Sequence, residues 1–144
     1  MFSIDKYLLK QYLRVFMKSK GSRTERELFH MFWDSGLAAL RCAGSGSTPM
    51  PCPDLLVGDG RRVLAIECKS GKKGRRYISK EQIKELKEFA TKFGAEPWVG
   101  IRYDNLDWFF LDIEDLEKSK GGNYSVSLGL INRKGLSFNE LISK

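Results

Sequence analysis

Residues 53–69 read Pro53-Asp-Leu-Leu-Val-Gly-Asp-Gly-Arg-Arg-Val-Leu-Ala-Ile-Glu-Cys-Lys69, and this stretch decides the fold. Two apolar runs flank Gly58-Asp59-Gly60. An Asp-Gly dipeptide favours the positive φ angles that a tight hairpin turn needs. The sequence therefore predicts an antiparallel hairpin of two strands, over residues 54–57 and 62–69.

The second strand ends in a pair of charged residues. Side chains alternate between the two faces of a strand, so Glu67 and Lys69 share one face. If residues 59–60 form a two-residue turn, Asp54 lies opposite Ala65 and diagonal to Glu67. Diagonal neighbours on one face are about 7 to 8 Å apart at Cα. The two carboxylates are therefore predicted to lie close enough to share a metal ion.

Two carboxylates that leave open positions for water and phosphate oxygens suit Mg²⁺, and Mn²⁺ is expected to substitute. Lys69 would then orient or deprotonate an attacking water, or stabilise the charged transition state. The alternative is that Glu67 and Lys69 form a solvated ion pair at a strand end. A Pro-Asp, a tight hairpin and a closing E-x-K in one stretch favour metal-dependent hydrolysis over that alternative, with Asp54, Glu67 and Lys69 as catalytic residues.

Outward from the hairpin, hydrophobic periodicity predicts the other elements. We expect helices over residues 3–18 and 23–35 with a break at Lys20-Gly21, and then a strand over 37–42 and an irregular loop over 43–51. A helix over 79–93 is opened by Ser79 and Gln82 and closed by Gly94. The order indicates an α/β fold with a mixed central sheet flanked by helices; the remaining predicted elements are strands over 98–103, 108–113 and 124–130 and a terminal helix over 136–142.

A chain of 144 residues suits a single domain with its own core. We divide it into a helical extension (1–19), a catalytic core (20–116) and a C-terminal segment (117–144). No signal peptide or membrane-spanning stretch is recognisable, which predicts a cytoplasmic, nucleoid-associated protein without a membrane partner. No pattern typical of a small-molecule cofactor is found.

Charge is distributed unevenly along the chain. Residues 1–92 carry 19 Lys and Arg against 10 acids, whereas residues 93–144 carry 6 against 8. Clustered cations bind polyanions by releasing counterions from a phosphate backbone. A basic loop follows the E-x-K strand directly, and we predict that it contacts DNA, although a solvated loop is the alternative; its cations are Lys72, Lys73, Arg75 and Arg76.

Cys42, Cys52 and Cys68 leave an odd thiol under any pairing, and no Cys-x-x-Cys spacing suggests a structural zinc site. Three reduced thiols in an intracellular protein are the simplest interpretation.

Pro53-Asp54 followed by Glu67-x-Lys69 resembles the PD-(D/E)xK motif of restriction-endonuclease-like nucleases, which cleave phosphodiesters with Mg²⁺. A closer resemblance, to archaeal Holliday junction resolvases, covers residues 20–103. It rests on the segments Lys-Gly-Ser-Arg-Thr-Glu-Arg-Glu-Leu (20–28), Arg-Cys-Ala-Gly-Ser (41–45), Ile-Glu-Cys-Lys (66–69) and Phe-Ala-Thr-Lys-Phe-Gly (89–94). Those enzymes are homodimers that cut four-way DNA junctions symmetrically.

The resemblance implies further site residues. Glu25 would complete the catalytic and metal-binding acids, Arg41 would act at the site or on DNA, and Ser45 or Ser47 would lie near the scissile phosphate. Glu25 also shares a predicted helix face with apolar residues, where an unpartnered carboxylate is costly. Its alternative role is in a capping box formed by Ser22 and Glu25. The neighbouring cations are predicted DNA contacts: Lys20, Arg23 and Arg26.

Phe89 and Phe93 resemble the family's dimer-contact aromatics, although core packing would also explain them. The resemblance implies a homodimer that resolves four-way junctions with paired symmetric nicks. The alternatives are a related repair or restriction-type nuclease on duplex or flap DNA, and a non-catalytic DNA-binding module. The loop over residues 46–52 and the first 18 residues depart from the family pattern.

Overall fold

The computed structural model describes the backbone of residues 5–42 and 50–144, and the side chains of these residues apart from 7 and 10–20. The predicted α/β architecture is confirmed, with a mixed sheet flanked by helices. In chain order the elements are α1 (Lys6–Asp34), β1 (Ala38–Arg41), β2 (Leu55–Gly58), β3 (Val63–Gly71), β4 (Arg76–Ile78), α2 (Lys80–Phe93), β5 (Glu96–Tyr103), β6 (Trp108–Asp112), β7 (Glu117–Lys118), β8 (Tyr124–Val126), α3 (Leu128–Lys134), β9 (Leu136–Ser137) and α4 (Phe138–Ile142).

The N-terminal helix is continuous, so the predicted break at Lys20-Gly21 is wrong. A single glycine inside a helix costs only about 1 kcal/mol relative to alanine, and no proline follows to stop the helix. Thr24 Oγ1 also donates a hydrogen bond of 2.9 Å to the Gly21 carbonyl. One long helix therefore carries Glu25 towards the sheet.

The main sheet has the strand order β1-β2-β3-β5-β6-β9. Its strands pair antiparallel except β3 and β5, which run parallel and are joined by a connection that contains α2. Two separate cores fill the two faces. One packs α2 against the sheet through Ile83, Leu86 and Ala90, and the other packs α1 through Leu28 and Phe32.

The β2–β3 hairpin is confirmed, but its predicted register is wrong by two residues. Leu56, not Asp54, pairs with Ala65. The reason lies in the turn, where only Gly60 has a positive φ, of 88°, and the Asp59 carboxylate accepts hydrogen bonds from the backbone N–H groups of Arg61 and Arg62. Asp59 is therefore paired with Arg62 through a backbone hydrogen bond instead of occupying the turn centre.

Helix α2 begins and ends as the sequence predicts. Ser79 and Gln82 form a complete capping box, and Gly94 ends the helix in the left-handed conformation at a φ of 80°. The helix is thereby fixed at both ends beside β3.

The C-terminal segment differs from the prediction in one part. The strand predicted over residues 124–130 ends at Val126, because the Ser127 side chain caps α3 by accepting from Leu130 N at 3.1 Å. The terminal helix is confirmed but shorter, since Ser137 and Glu140 form a capping box after a two-residue strand. Strands β4, β8 and β7 make a second, three-stranded sheet.

Cys42 and Cys52 form a disulfide with their Cα atoms 6.5 Å apart, while Cys68 is free. The expectation of three reduced thiols is therefore wrong. Strand pairing already brings the two positions together, since Cys42 N donates to the Asp54 carbonyl at 3.1 Å.

No helix in the part of the chain that the structure describes is long and apolar enough to span a bilayer.

Candidate active site

Two neighbouring strands of the main sheet, β2 and β3, bring the predicted acids together. Asp54 immediately precedes β2, and Glu67 lies within β3. Because Leu55 pairs with Ile66, Asp54 lies directly opposite Glu67 instead of diagonal to it. The backbone N–H of Cys68 donates to Asp54 Oδ2 at 2.8 Å, and the two carboxyl groups are hydrogen-bonded to each other.

The electrostatics of this pair are unfavourable for two negative charges. Burial, and then the charge of Asp54, raise the pKa of Glu67 to about 8, against the opposing effect of Lys69. Burial also raises the pKa of Asp54, although the Cys68 N–H acts in the opposite direction. A half-buried pair of oxygen ligands that holds a proton between them is a fitting environment for a hard divalent cation, which would supply the missing positive charge.

Lys69 is held on the other side by helix α2. Its Nζ lies 3.4 Å from Gln82 Oε1, and the same oxygen accepts a 3.2 Å hydrogen bond from Ser79 N. Sequence reasoning identified Gln82 only as a helix cap and missed its contact with the lysine. Its position in the first turn of the helix that follows the E-x-K strand was the only available signal.

Glu25 reaches the site from α1. It forms an ion pair of 3.4 Å with Arg41, whose Nη2 also donates to the Ser22 carbonyl at 3.2 Å. Burial, and then the charge of Asp54, raise the pKa of Glu25, while Arg41 lowers it. The alternative capping-box role of Glu25 is wrong, because Ser22 lies inside the continuous helix and caps nothing.

Among residues 5–42 and 50–144, no three His, Cys, Asp or Glu side chains converge closely enough to hold a metal ion. The structure thus brings Asp54 and Glu67 together as a candidate ligand pair but does not bring Glu25 in as a third. The Glu25 carboxylate is turned to Arg41, whose Nε is buried without a hydrogen-bond partner in the described part of the chain.

The remaining predicted site residues fall into two groups. Ser45, Ser47 and the Lys20 side chain lie outside the described residues. Arg23 and Arg26 are exposed on α1, on the helix that carries Glu25. Their roles stay predictions.

The four cations of the basic loop after β3 differ in exposure: three are exposed and the fourth, Arg76, is partly buried. Lys72 and Lys73 are exposed, and Arg75 pairs with Glu117 at 3.0 Å. Arg76 instead folds back, donating to the Lys72 carbonyl and lying over the Tyr103 ring with its guanidinium carbon 6.0 Å from the ring centroid. The structure therefore gives Arg76, which is only partly exposed, contacts within the fold, and its DNA contact stays a prediction.

Phe89 and Phe93 stack at a centroid distance of 5.3 Å on α2. Phe89 is partly buried against the core, whereas Phe93 is 54% exposed. The pair thus combines a packing residue with a surface residue.

Comparison with known proteins gives consistent matches. The family model described as archaeal Holliday junction resolvase (Hjc) matches residues 16–144. A crossover junction endodeoxyribonuclease Hjc from Archaeoglobus fulgidus is 44% identical over 104 residues, covering 72% of this chain and 76% of the relative. Another, from Sulfolobus acidocaldarius, is 38% identical over 127 residues, covering 87% of each chain.

A solved structure of Archaeoglobus fulgidus Hjc, described as a Holliday junction resolvase from an archaeal hyperthermophile, superposes with a TM-score of 0.79. It is 37% identical, and the match covers 84% of this chain and 98% of that one. The sequence match along nearly the whole chain, together with the shared fold, shows that this protein belongs to the archaeal Holliday junction resolvase (Hjc) family.

Proposed function

We propose that this protein is a structure-selective endonuclease that resolves four-way DNA junctions by metal-dependent phosphodiester hydrolysis. The observation that carries the proposal is the convergence of Asp54, Glu67 and Lys69 at adjacent strand positions in a member of this family. The relatives named above are themselves crossover junction endodeoxyribonucleases.

Asp54 and Glu67 would hold the divalent cation, and we propose Mg²⁺, with Mn²⁺ as a substitute, because both ligands are hard carboxylate oxygens. When bound, such a cation supplies a water of lowered pKa and neutralises charge developing on the phosphate. The Cys68 N–H fixes one Asp54 oxygen and leaves the other for the cation.

Lys69 is held by Gln82 beside the two acids, where its ammonium can orient the attacking water or stabilise the transition-state charge. Arg41 lies between Glu25 and the β2 strand, and its guanidinium can donate to a phosphate oxygen of the scissile strand. Glu25 thus orients Arg41 in the arrangement we propose. Ser45 and Ser47 remain proposed contacts of the scissile phosphate, and Lys20, Arg23 and Arg26 of the DNA backbone.

We further propose that the active species is a two-fold dimer. Leu40 pairs with Leu56 on the face of the sheet that α2 covers, yet Leu40 is 67% exposed. Phe93, on α2 itself, is also exposed. An isologous interface that covers this apolar face would place two identical sites against the symmetric strands of a junction and so give paired nicks.

The test is an assay of the wild-type protein with Mg²⁺ and either a four-way junction or a linear duplex of the same sequence. We expect paired nicks in opposing strands of the junction and no comparable cutting of the duplex. Glu67→Ala and Asp54→Asn should abolish cutting while junction binding persists, and Ca²⁺ should support binding without efficient cutting. Equal cutting of the duplex would instead favour a repair or restriction-type nuclease.

Binding of the junction without cutting under any divalent cation would favour a non-catalytic DNA-binding module. We place the action of the protein at the nucleoid, where its proposed substrate forms.

A further inference from the structure

The three-stranded sheet joins the C-terminal segment to the loop that leaves the catalytic strand. Tyr77 of β4 and Glu117 of β7 both pair with Ser125 of the central strand, so their side chains lie on one face. Tyr77 is 65% exposed, which identifies this as the outer face. The opposite face packs Ile78 and Val126 into the core.

This small sheet gathers positive charge that the linear sequence separates. Residues 72–80 carry five Lys and Arg and no acid, and residues 117–134 carry four and one acid. The four cations of residues 117–134 are all exposed: Lys118, Lys120, Arg133 and Lys134. Lys118 pairs with Tyr124 and therefore lies on the face opposite Tyr77, whereas Lys120 lies in the hairpin turn. Counted along the chain, residues 93–144 are slightly acidic, but strand pairing brings residues 117–126 beside β4 and the basic loop.

The two segments are fixed to each other by specific contacts. Arg75 Nη1 donates to Ser125 Oγ at 2.9 Å and forms an ion pair of 3.0 Å with Glu117. Glu117 also lies 3.5 Å from Arg133. One carboxylate therefore holds two guanidinium groups in place while leaving most of their N–H donors available.

The turn of the β7–β8 hairpin is fixed beside the catalytic lysine. Asn123 Oδ1 accepts a 3.1 Å hydrogen bond from Lys80 N, in the first turn of α2. Two residues further along that helix, Gln82 contacts Lys69. Lys120 lies in this turn, which Ser119 and Asn123 close by a backbone hydrogen bond of 2.7 Å, and it is thus tied to the first turn of the helix that carries Gln82.

We propose that the outer face of the β4-β8-β7 sheet and its hairpin turn bind the phosphate backbone of one duplex arm of the substrate, next to the scissile strand. This proposal rests on the proposed function. Duplex DNA fits this surface because the cations are spaced along two adjacent segments with a single acid among them, and that acid, Glu117, holds the guanidinium groups of Arg75 and Arg133. The Tyr77 hydroxyl and the guanidinium N–H groups are donors suited to phosphate oxygens.

The experiment measures the dissociation constant of a four-way junction as a function of salt concentration. Lys120→Gln should weaken binding and lower the slope of log K against log salt by about 0.9, and adding Arg133→Gln should lower it by about 0.9 again. The matched control is Arg61→Gln, which removes one exposed cation at the opposite end of the β2–β3 hairpin. Its binding, slope and cutting should equal those of the wild type.

Shortening the arms of the junction should reduce the difference between Lys120→Gln and the wild type, because the lost contact is to an arm and not to the branch point. A wild-type slope for the double variant, or the same loss in Arg61→Gln, would overturn the proposal. A wild-type protein that neither binds nor cuts junctions would instead refute the proposed function. Melting temperatures of the variants are compared first, and Lys120→Gln alone serves if the double variant unfolds.

Discussion

Replacing Glu67 with glutamine is expected to stabilise the protein in the absence of divalent cations. Glu67 has a pKa of about 8 in the fold, against an ordinary value of 4.5. Between these values the folded state keeps a proton that the unfolded chain releases, so the stability contributed by this residue falls as pH rises from 4.5 to 8. Glutamine is neutral throughout and can still donate to Asp54.

The magnitude follows from the pH interval. At pH 7 the wild-type carboxyl group lies about 2.5 pH units above its unfolded pKa, and each unit costs about 1.4 kcal/mol. Glu67→Gln should therefore raise the free energy of unfolding by about 3 kcal/mol at pH 7, and the melting temperature by about 10 °C in a chain of this size. Below pH 4.5 the gain should vanish.

Calorimetry in EDTA at several pH values measures this directly. The matched control is Glu96→Gln, because hydrogen bonds from Arg62 lower the pKa of Glu96, so that its charged form stabilises the fold above its unfolded pKa. That variant should lose stability at pH 7. Mg²⁺ should raise the melting temperature of the wild type but not of Glu67→Gln. A Glu67→Gln gain that does not change with pH, or a loss of stability, would refute the reasoning.

Three further predictions concern separate parts of the molecule. Gln82→Leu should slow single-turnover cutting by about tenfold, because it removes the hydrogen-bond acceptor that holds Lys69, our proposed catalytic lysine. Ser79→Ala removes only the helix cap, and it should lower stability while leaving the rate near that of the wild type. Replacing Cys42 and Cys52 together with serine should lower the free energy of unfolding by about 3 kcal/mol, the entropy of closing a loop of this length; an unchanged urea midpoint would contradict this. Phe93→Glu should yield a folded monomer by light scattering, and a persistent dimer would place the interface elsewhere.

The proximity of Asp54, Glu67 and Lys69 could be predicted because their positions depend on one contiguous hairpin. Period-two alternation places Glu67 and Lys69 on one face whatever the rest of the chain does. The register could not be predicted, because it depends on the role of Asp59 in the turn. Asp59 could be a central turn residue, or it could precede the turn and accept hydrogen bonds from the N–H groups of Arg61 and Arg62, as it does here. A shift of two residues keeps each side chain on its face, which is why the error in register left the predicted pair intact.

Contacts between distant segments were beyond sequence reasoning. The pairing of Glu25 with Arg41 requires α1 to run unbroken to the sheet, and a lone glycine gives no signal of whether a helix stops. The disulfide joins two residues 10 positions apart, and such a separation does not by itself distinguish a bonded pair from two free thiols. The cations of the C-terminal segment were separated from the basic loop by about 40 residues, so only the fold shows that they adjoin it.

The two cores on either side of the main sheet share no side chain. One positions Glu25 and the other positions Gln82, while the acids lie in the sheet between them. In evolutionary terms, substitutions in either core can accumulate independently. Those in one core would shift Glu25 on α1, and those in the other would shift Gln82 on α2. A displacement of about 1 Å can change a rate by about a hundredfold. Substitutions in either core could therefore change the rate of cutting without altering any residue that we propose contacts DNA.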